Sequence, residues 1–340
     1  MLRKSQSKKL SFTASALALT LTLAACGSGD GKDGDTQTLR VGVIYAPAVP
    51  IVKCGLTPLS ENKELSDAGL KIETIDSSQL GAENELLQQA SSGELDIALA
   101  AGSTLATVFN IPELEMFEAY YLYDTPADVV RVRNTDVAKA AFDKLPAKAK
   151  LTAVGNPWLY GERHMFGSKA LRGPKDFKGL KLRVPDTKIS IGSAKALGAS
   201  PTPTTYAELY LALQQGIVDA AEAPLSVIAA ESFNEASKYV SLTGHLITAA
   251  SPLINNETWD SLSAKQQTVV EKAFDETAKS ISDCVAADDK KAMDSWKKDG
   301  KPEIVNDVDR DSLKALAEAA YSKDFSWSAD YKKLIEELNE

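Results

Sequence analysis

The chain has 340 residues, 44% hydrophobic and 25% charged, which is enough for one large or two ordinary globular domains with ample cores. Its formal charge is −9. An acidic chain of this kind is not built to bind nucleic acid as its main task, and any arginine set in a pocket stands out against the background.

The N-terminus reads as a targeting segment. Arg3, Lys4, Lys8 and Lys9 precede a short apolar run over residues 12–25, which is too short to span a bilayer. The run ends in Leu23-Ala24-Ala25-Cys26, which resembles the lipobox of bacterial lipoproteins and implies cleavage after residue 25 and a lipid on Cys26. Removing residues 1–25 takes away four basic groups, leaving 34 basic against 47 acidic residues and a net charge of −13. Residues 26–38 are Gly-, Asp- and Ser-rich, a flexible linker. The implied layout is a globular body tethered to the outer face of a cell membrane.

Leu39-Arg-Val-Gly-Val-Ile-Tyr45 alternates as a strand and opens the body; residues 47–63 read as a loop leading into a helix. A second strand is expected at 70–76, a helix at 82–92 closed by Gly93, and a buried strand at 95–100. This is the rhythm of a parallel α/β sheet, in which ligands sit at the carboxyl ends of strands, here residues 45–47, 77–83 and 101–104. The aromatic-rich stretch 110–125 reads as core, 128–145 as helix and 151–154 as strand, leading into a loop over 158–163.

The centre of the chain is Gly179-Leu-Lys-Leu-Arg-Val-Pro185. Leu180, Leu182 and Val184 alternate with Lys181 and Arg183, so Arg183 falls on the polar side of a strand that Pro185 ends. A guanidinium on a rigid strand suits a carboxylate, offering two parallel donors and never deprotonating. Arg163, in Trp158-Leu-Tyr-Gly-Glu-Arg163, sets a second guanidinium near aromatic rings, and the two together point to a pocket for a small organic acid. Trp158 is expected to pack at that pocket. A helix is expected at 190–197, then one opened by Thr205 and Glu208 at capping-box spacing, with Tyr206, Leu209, Tyr210 and Leu213 on one face, and a strand at 217–221. The second half thus repeats the logic of the first, and two α/β lobes are the simplest architecture. Residues 263–298 contain no glycine or proline, predicting a helix of about 50 Å that lies across both lobes. Two terminal helices follow at 309–320 and 329–340.

Cys54 and Cys284 form either a disulfide or two buried thiols; a location outside the cytoplasm favours the disulfide. His164 and His245, the only histidines, supply neither a metal site nor a catalytic dyad. Nucleophile-elbow and phosphate-loop signatures are absent, and the one Gly-x-Gly-x-x-Gly spacing, Gly29-Asp-Gly-Lys-Asp-Gly34, falls in the linker with no strand before it, so no enzyme activity, cofactor or metal is expected.

The chain resembles the solute-binding subunits of TRAP (tripartite ATP-independent periplasmic) transporters, the DctP-like family. The resemblance rests on Ser78-Gln-Leu-Gly81, Gly93-Glu-Leu-Asp-Ile97, Gly179-Leu-Lys-Leu-Arg-Val-Pro185, Gly198-Ala-Ser-Pro-Thr-Pro203, Tyr206-Ala-Glu-Leu-Tyr-Leu-Ala-Leu-Gln-Gln-Gly-Ile-Val-Asp219 and Trp259-Asp-Ser-Leu-Ser-Ala-Lys-Gln-Gln267, in order across residues 39–300. It implies a periplasmic binding protein-like, class II type fold, with residues 39–160 and 249–288 as one lobe and 161–248 and 289–340 as the other. It implies capture of a small carboxylate, dicarboxylates included, between the lobes and its delivery to an ion-gradient-driven membrane permease by a monomer. Arg183 matches the family's carboxylate clamp, Arg163 its second arginine, Tyr206 its ligand-contacting aromatic, and Glu83 and Asn84 its cleft-lining residues. Ala223 replaces an asparagine of many sugar-acid-binding members, which points to a less hydroxylated acid. The alternatives are a binding lipoprotein of an ATP-driven importer or a sensor system, and a secreted hydrolase.

Overall fold

The structure, a computed structural model, describes residues 36–339. The targeting segment, Cys26 and nearly all of the linker lie outside the described residues. Ten strands form one twisted sheet: β1 (Gln37–Gly42), β2 (Leu70–Ile75), β3 (Ile97–Ala100), β4 (Leu151–Ala153), β5 (Trp158–Gly167), β6 (Lys181–Val184), β7 (Ser200–Pro203), β8 (Ala220–Pro224), β9 (Tyr239–Asn255) and β10 (Glu303–Val305). The order is β2-β1-β3-β9-β5-β8-β6-β7, with β4 and β10 pairing β9 off this path. β1, β2 and β3 are parallel in one lobe, and β6, β7 and β8 in the other. Two long antiparallel strands join the lobes. β9 pairs β3 through Ser251 to Ile254, and pairs β5 along nearly its whole length.

Each strand presents alternate residues to opposite faces, and the core is divided accordingly. Leu39, Val41, Ile97 and Leu99 pack on one face, while Ala98 and Ala100 pack on the other against Leu86 and Leu105. The long helix Ala264–Asp299 covers the first face. Ser263 and Gln266 cap its start reciprocally and Gly300 ends it in the left-handed conformation. Its buried residues Val270, Phe274, Ile281, Val285 and Trp296 lie on the helix Lys63–Asp67, the turn Ile51–Leu56, β5, the helix Leu225–Ala230 and β10, and so on both lobes. Where β5 passes under it, Gly161 has φ +117°, and an added Cβ would lie 2.9 Å from Val285 Cγ1; a side chain does not fit there. A disulfide joins Cys54 to Cys284 of the long helix, with their Cα atoms 6.4 Å apart.

Several elements differ from the sequence reading. The expected loop at 158–163 is the first half of β5, because its residues pair with Ala250 to Leu246 of β9. β9, the longest strand among the described residues, has no counterpart in the sequence pattern. The 128–145 helix divides into Pro126–Arg133 and Asp136–Phe142, broken at Asn134 and restarted by the Thr135 cap. The Pro-Thr-Pro segment is β7, tolerated because β7 is the edge of the sheet. The next helix begins at Leu209; Glu208 folds back onto the Thr205 N–H and hydroxyl, leaving Tyr206 in the preceding turn. The last helix, Ser328–Asn339, packs against Pro126–Arg133 and Asp136–Phe142, so the stretch assigned to the second lobe also reaches the first.

Candidate ligand-binding site

A cavity of about 730 Å³ opens where the carboxyl ends of β1, β3, β6 and β7 face the crossing strands, within the range of small-molecule sites. The three strand ends expected from the sequence supply Tyr45, Ser78, Glu83 and Thr104.

Arg183 lies in its wall with 4% of its surface exposed. The sequence reading placed it on the polar side of a half-buried strand. β6 is buried on both sides from Leu182 onward, and the polar side is the cavity, not bulk solvent. Both Nε and Nη2 donate to the Thr204 carbonyl, at 3.1 and 2.7 Å, which fixes the plane of the fork. Its other N–H donors have no acceptor among the described residues. Burial pulls its pKa down, and the charge of Glu222 opposes that; it remains a cation without an ion-pair partner among the described residues.

Arg163 is in the same wall but engaged. Its Nε and Nη2 both reach the Glu222 carboxylate on the neighbouring β8, and Nη2 also donates to the Glu222 carbonyl at 2.9 Å. Burial raises the Glu222 pKa, but the Arg163 charge and then His245 override it and hold Glu222 at about 2. Behind the pair, His245 Nε2 lies 3.7 Å from Glu222 Oε2, His245 Nδ1 is 2.8 Å from Thr243 Oγ1, and Tyr120 meets the imidazole edge-on at 4.5 Å.

Aromatic rings close the cavity beside Arg183. Tyr206 lines it and meets Tyr45 edge-on at 5.0 Å, and Tyr45 packs against Tyr160 at 5.2 Å. Trp158 is a correction. It is fully buried, stacks on Phe274 at 5.4 Å and donates from Nε1 to the Phe274 carbonyl, so it belongs to the core beneath the long helix and does not reach the cavity. The first residue of β5 faces the helix, and Tyr160, two residues on, lines the cavity where the register of β5 on β9 shifts between Leu159 and Gly161.

Glu83 is not the exposed first-turn acid that helix-dipole preference alone would give. It is half-buried in the cavity wall and accepts the Ala101 N–H at 3.1 Å, and burial raises its pKa against that bond, the Thr104 hydroxyl and Arg163. Asn84 and Ala223 also line the cavity. Glu222, Glu118, Tyr45 and Tyr160 were not singled out as site residues. Glu222 is 59 positions from Arg163, so no local pattern links them. Glu118 is one of four acids inside the aromatic stretch 110–125 read as core, and nothing local sets it apart. Among the described residues no group of histidine, cysteine, aspartate and glutamate is arranged to hold a metal ion.

Comparison with known proteins agrees with this geometry. Residues 58–327 match the model of the family described as bacterial extracellular solute-binding protein, family 7. The chain is 31% identical over 238 residues to the sialic acid-binding periplasmic protein of Vibrio cholerae, covering 70% of this chain and 73% of that one. It is 28% identical over 262 residues to the C4-dicarboxylate-binding periplasmic protein of Rhodobacter capsulatus, covering 77% and 78%. In structure it is similar to a TRAP periplasmic solute-binding protein of Ochrobacterium anthropi with bound L-fuconate, at a TM-score of 0.82 and 29% identity over 89% of this chain and all of that one.

Proposed function

The chain belongs to family 7 of the bacterial extracellular solute-binding proteins, and from that footing we propose that it captures a small organic acid between its lobes, with Arg183 as the carboxylate anchor, for a TRAP membrane permease. It is an extracytoplasmic binding protein, not an enzyme. The observation that carries the carboxylate reading is Arg183 itself: a buried guanidinium, oriented by Thr204, with donors left over and no ion-pair partner among the described residues, in the wall of a ligand-sized cavity. A buried unpaired charge is costly, and an anionic ligand removes that cost. The three relatives named above are described with a sialic acid, a C4-dicarboxylate and L-fuconate, which share a carboxylate and little else.

Arg163 supports the ligand indirectly, since Glu222 already occupies its fork; Tyr206 and Glu83 form further wall. The lobes meet at β5 and β9, with residues 39–160 and 249–288 on one side and 161–248 and 289–340 on the other, the last helix reaching back to the first lobe. Closure about these strands buries the acid and completes the surface offered to the permease. A diacylglycerol on Cys26 tethers the monomer to the outer face of the cell membrane; the motif Leu23-Ala24-Ala25-Cys26 supports this, and Cys26→Ser is expected to release the protein into the soluble fraction.

The test is a thermal-shift panel of L-fuconate, succinate, N-acetylneuraminate and matching neutral sugars on the wild type and Arg183→Ala. A ligand at a hundred times its dissociation constant adds about 2.7 kcal/mol to stability. At least one acid stabilises the wild type and none stabilises the variant. Stabilisation of both proteins alike by a neutral sugar overturns the reading.

A further inference from the structure

Resting on the carboxylate reading, the cavity has a second feature that a simple acid leaves unused. Glu118, at the end of the short turn Pro112–Glu118, lines the main cavity and also a hollow of about 40 Å³ behind it, shared with Tyr123, Arg133, Ala249 and Ser251. Its carboxyl takes part in no ion pair among the described residues. The charged groups that face it are Glu83 from the helix Glu83–Ser92, Arg163 from β5 and Glu222 from β8, with the Ser103 hydroxyl beside it; Arg133 lines the hollow from the far side and Tyr123 neighbours it. Arg163 is turned onto Glu222, so it does not neutralise Glu118. On β9, beside Ala249 of the same hollow, Thr248 lines the main cavity, is 5% exposed, and its hydroxyl has no partner among the described residues. An acceptor-rich region therefore sits in the same cavity as Arg183, with a buried hydroxyl unpartnered beside it.

We propose that Glu118, with Ser103 and Thr248, is the specificity-determining pole of the cavity and accepts hydrogen bonds from a proton-donating group, hydroxyl or ammonium, at the end of the ligand away from the carboxylate held by Arg183. The ligand is bifunctional: an acid at one end and a donor at the other. A purely aliphatic acid would bury its tail against a carboxyl and displace its water while leaving it only the Ser103 hydroxyl as a donor, which is unfavourable. Burial first, then Glu83 and Glu222 against Ser103 and Arg163, puts the Glu118 pKa at about 7. The ionised form is the stronger acceptor, so binding of donor-ended acids strengthens as pH rises from 6 to 8, whereas binding of a donor-free acid does not.

The experiment is calorimetric titration of D-gluconate, 6-aminohexanoate and hexanoate into the wild type, Glu118→Leu, Glu118→Gln and Thr248→Val at pH 6 and 8, with Arg183→Ala as the control. Gluconate supplies hydroxyls, 6-aminohexanoate an ammonium, and hexanoate no donor. At least one of the first two binds the wild type about tenfold or more tightly than hexanoate at pH 8. Glu118→Leu abolishes that preference and its pH dependence by weakening the donor-ended acids and tightening hexanoate, Glu118→Gln retains part of it without the pH dependence, and Thr248→Val reduces it. Whether the hydroxyl or the ammonium ligand shows the preference identifies the donor. Equal binding of all three by the wild type, or an equal loss for all three in Glu118→Leu, overturns the second pole and leaves the carboxylate reading standing. Failure of Arg183→Ala to weaken any of the three overturns the carboxylate reading, and this proposal with it.

Discussion

Arg163 and Glu222 are locked together across β5 and β8, carboxylate to guanidinium at two nitrogens and guanidinium to the Glu222 carbonyl at a third contact. Both are largely withdrawn from water, at 14% and 4% side-chain exposure. The cavity therefore contains two arginines of different kinds, one held by the protein and one, Arg183, facing the ligand space. Removing one partner of a buried pair leaves an uncompensated charge, at a cost of about 3 kcal/mol or more. Glu222→Gln is expected to lower the melting temperature by roughly 5 °C or more, and Arg163→Met with Glu222→Leu to recover most of that loss. A melting temperature unchanged in Glu222→Gln would mean that the pair is not a structural element.

Acid should destabilise the protein, and the sign follows from the two buried histidine and glutamate sites. Burial, then the charges of His245 and Arg310, hold His164 at about 3, and its Nδ1 accepts the Gly244 N–H at 3.0 Å, which requires the unprotonated ring. The unfolded chain takes up that proton below about 6.5 and the folded chain does not, so this stability is present above about 6.5 and is lost as pH falls toward 3. Glu222, at about 2, adds a second loss below about 4.5. Glu118 acts in the opposite sense: with a folded pKa of about 7, its contribution is present below about 4.5 and lost as pH rises through 7. The three together predict a shallow dependence from pH 7 to 5 and a steep fall below. His164→Asn, which keeps an acceptor for Gly244, should flatten the fall between pH 6 and 4 in a melting-temperature series. An unchanged slope would assign the acid sensitivity elsewhere.

Trp158 separates packing from binding. Its ring is fully buried against Phe274 and makes no part of the cavity wall. Trp158→Ala should cost about 3–5 kcal/mol of stability, while leaving carboxylate affinity within about twofold. A large loss of affinity with an unaltered melting curve would place Trp158 at the ligand after all.

What the sequence disclosed follows from where its signals are local. The strand of Arg183 was legible because Leu180, Leu182 and Val184 alternate and Pro185 stops the pairing. The long helix was legible because residues 263–298 offer no breaker between the Ser263 cap and Gly300. β9 was not, since Ser241, Thr243, Gly244, His245, Thr248 and Pro252 interrupt any apolar pattern. Some of those polar groups are satisfied by tertiary partners, as Thr243 is by the Met165 N–H and Ser241 by the Leu171 N–H. The engagement of Arg163 was invisible for the same reason: its partner comes from a different strand. Trp158 was misplaced because a tryptophan beside a glycine and an arginine reads the same whether the strand turns it to a ligand or to a helix.

The disulfide gives the last expectation. The turn Ile51–Leu56 follows the loop after β1, and the long helix packs directly onto it: a Cβ on Gly55 would lie 2.6 Å from Ile281 Cδ1. Cys54 and Cys284 tie the two at a separation of 230 residues, and beside them Lys53 reaches Asp288 at 2.7 Å. That ion pair is substantially exposed and contributes less than about 1 kcal/mol. The covalent link restricts the unfolded chain over a very long loop, which in the chain-entropy model is worth about 5 kcal/mol. Cys54→Ser with Cys284→Ser is expected to lower the melting temperature by on the order of 10 °C, and a reductant should lower the wild type to the same value without affecting the variant. Carboxylate affinity should stay within about threefold, because the cavity takes no side chain from residues 51–56. If the reductant shifts wild type and variant equally, or neither, then the link does not hold the long helix to the first lobe, and the packing of Ile281 on Gly55 holds it without covalent help.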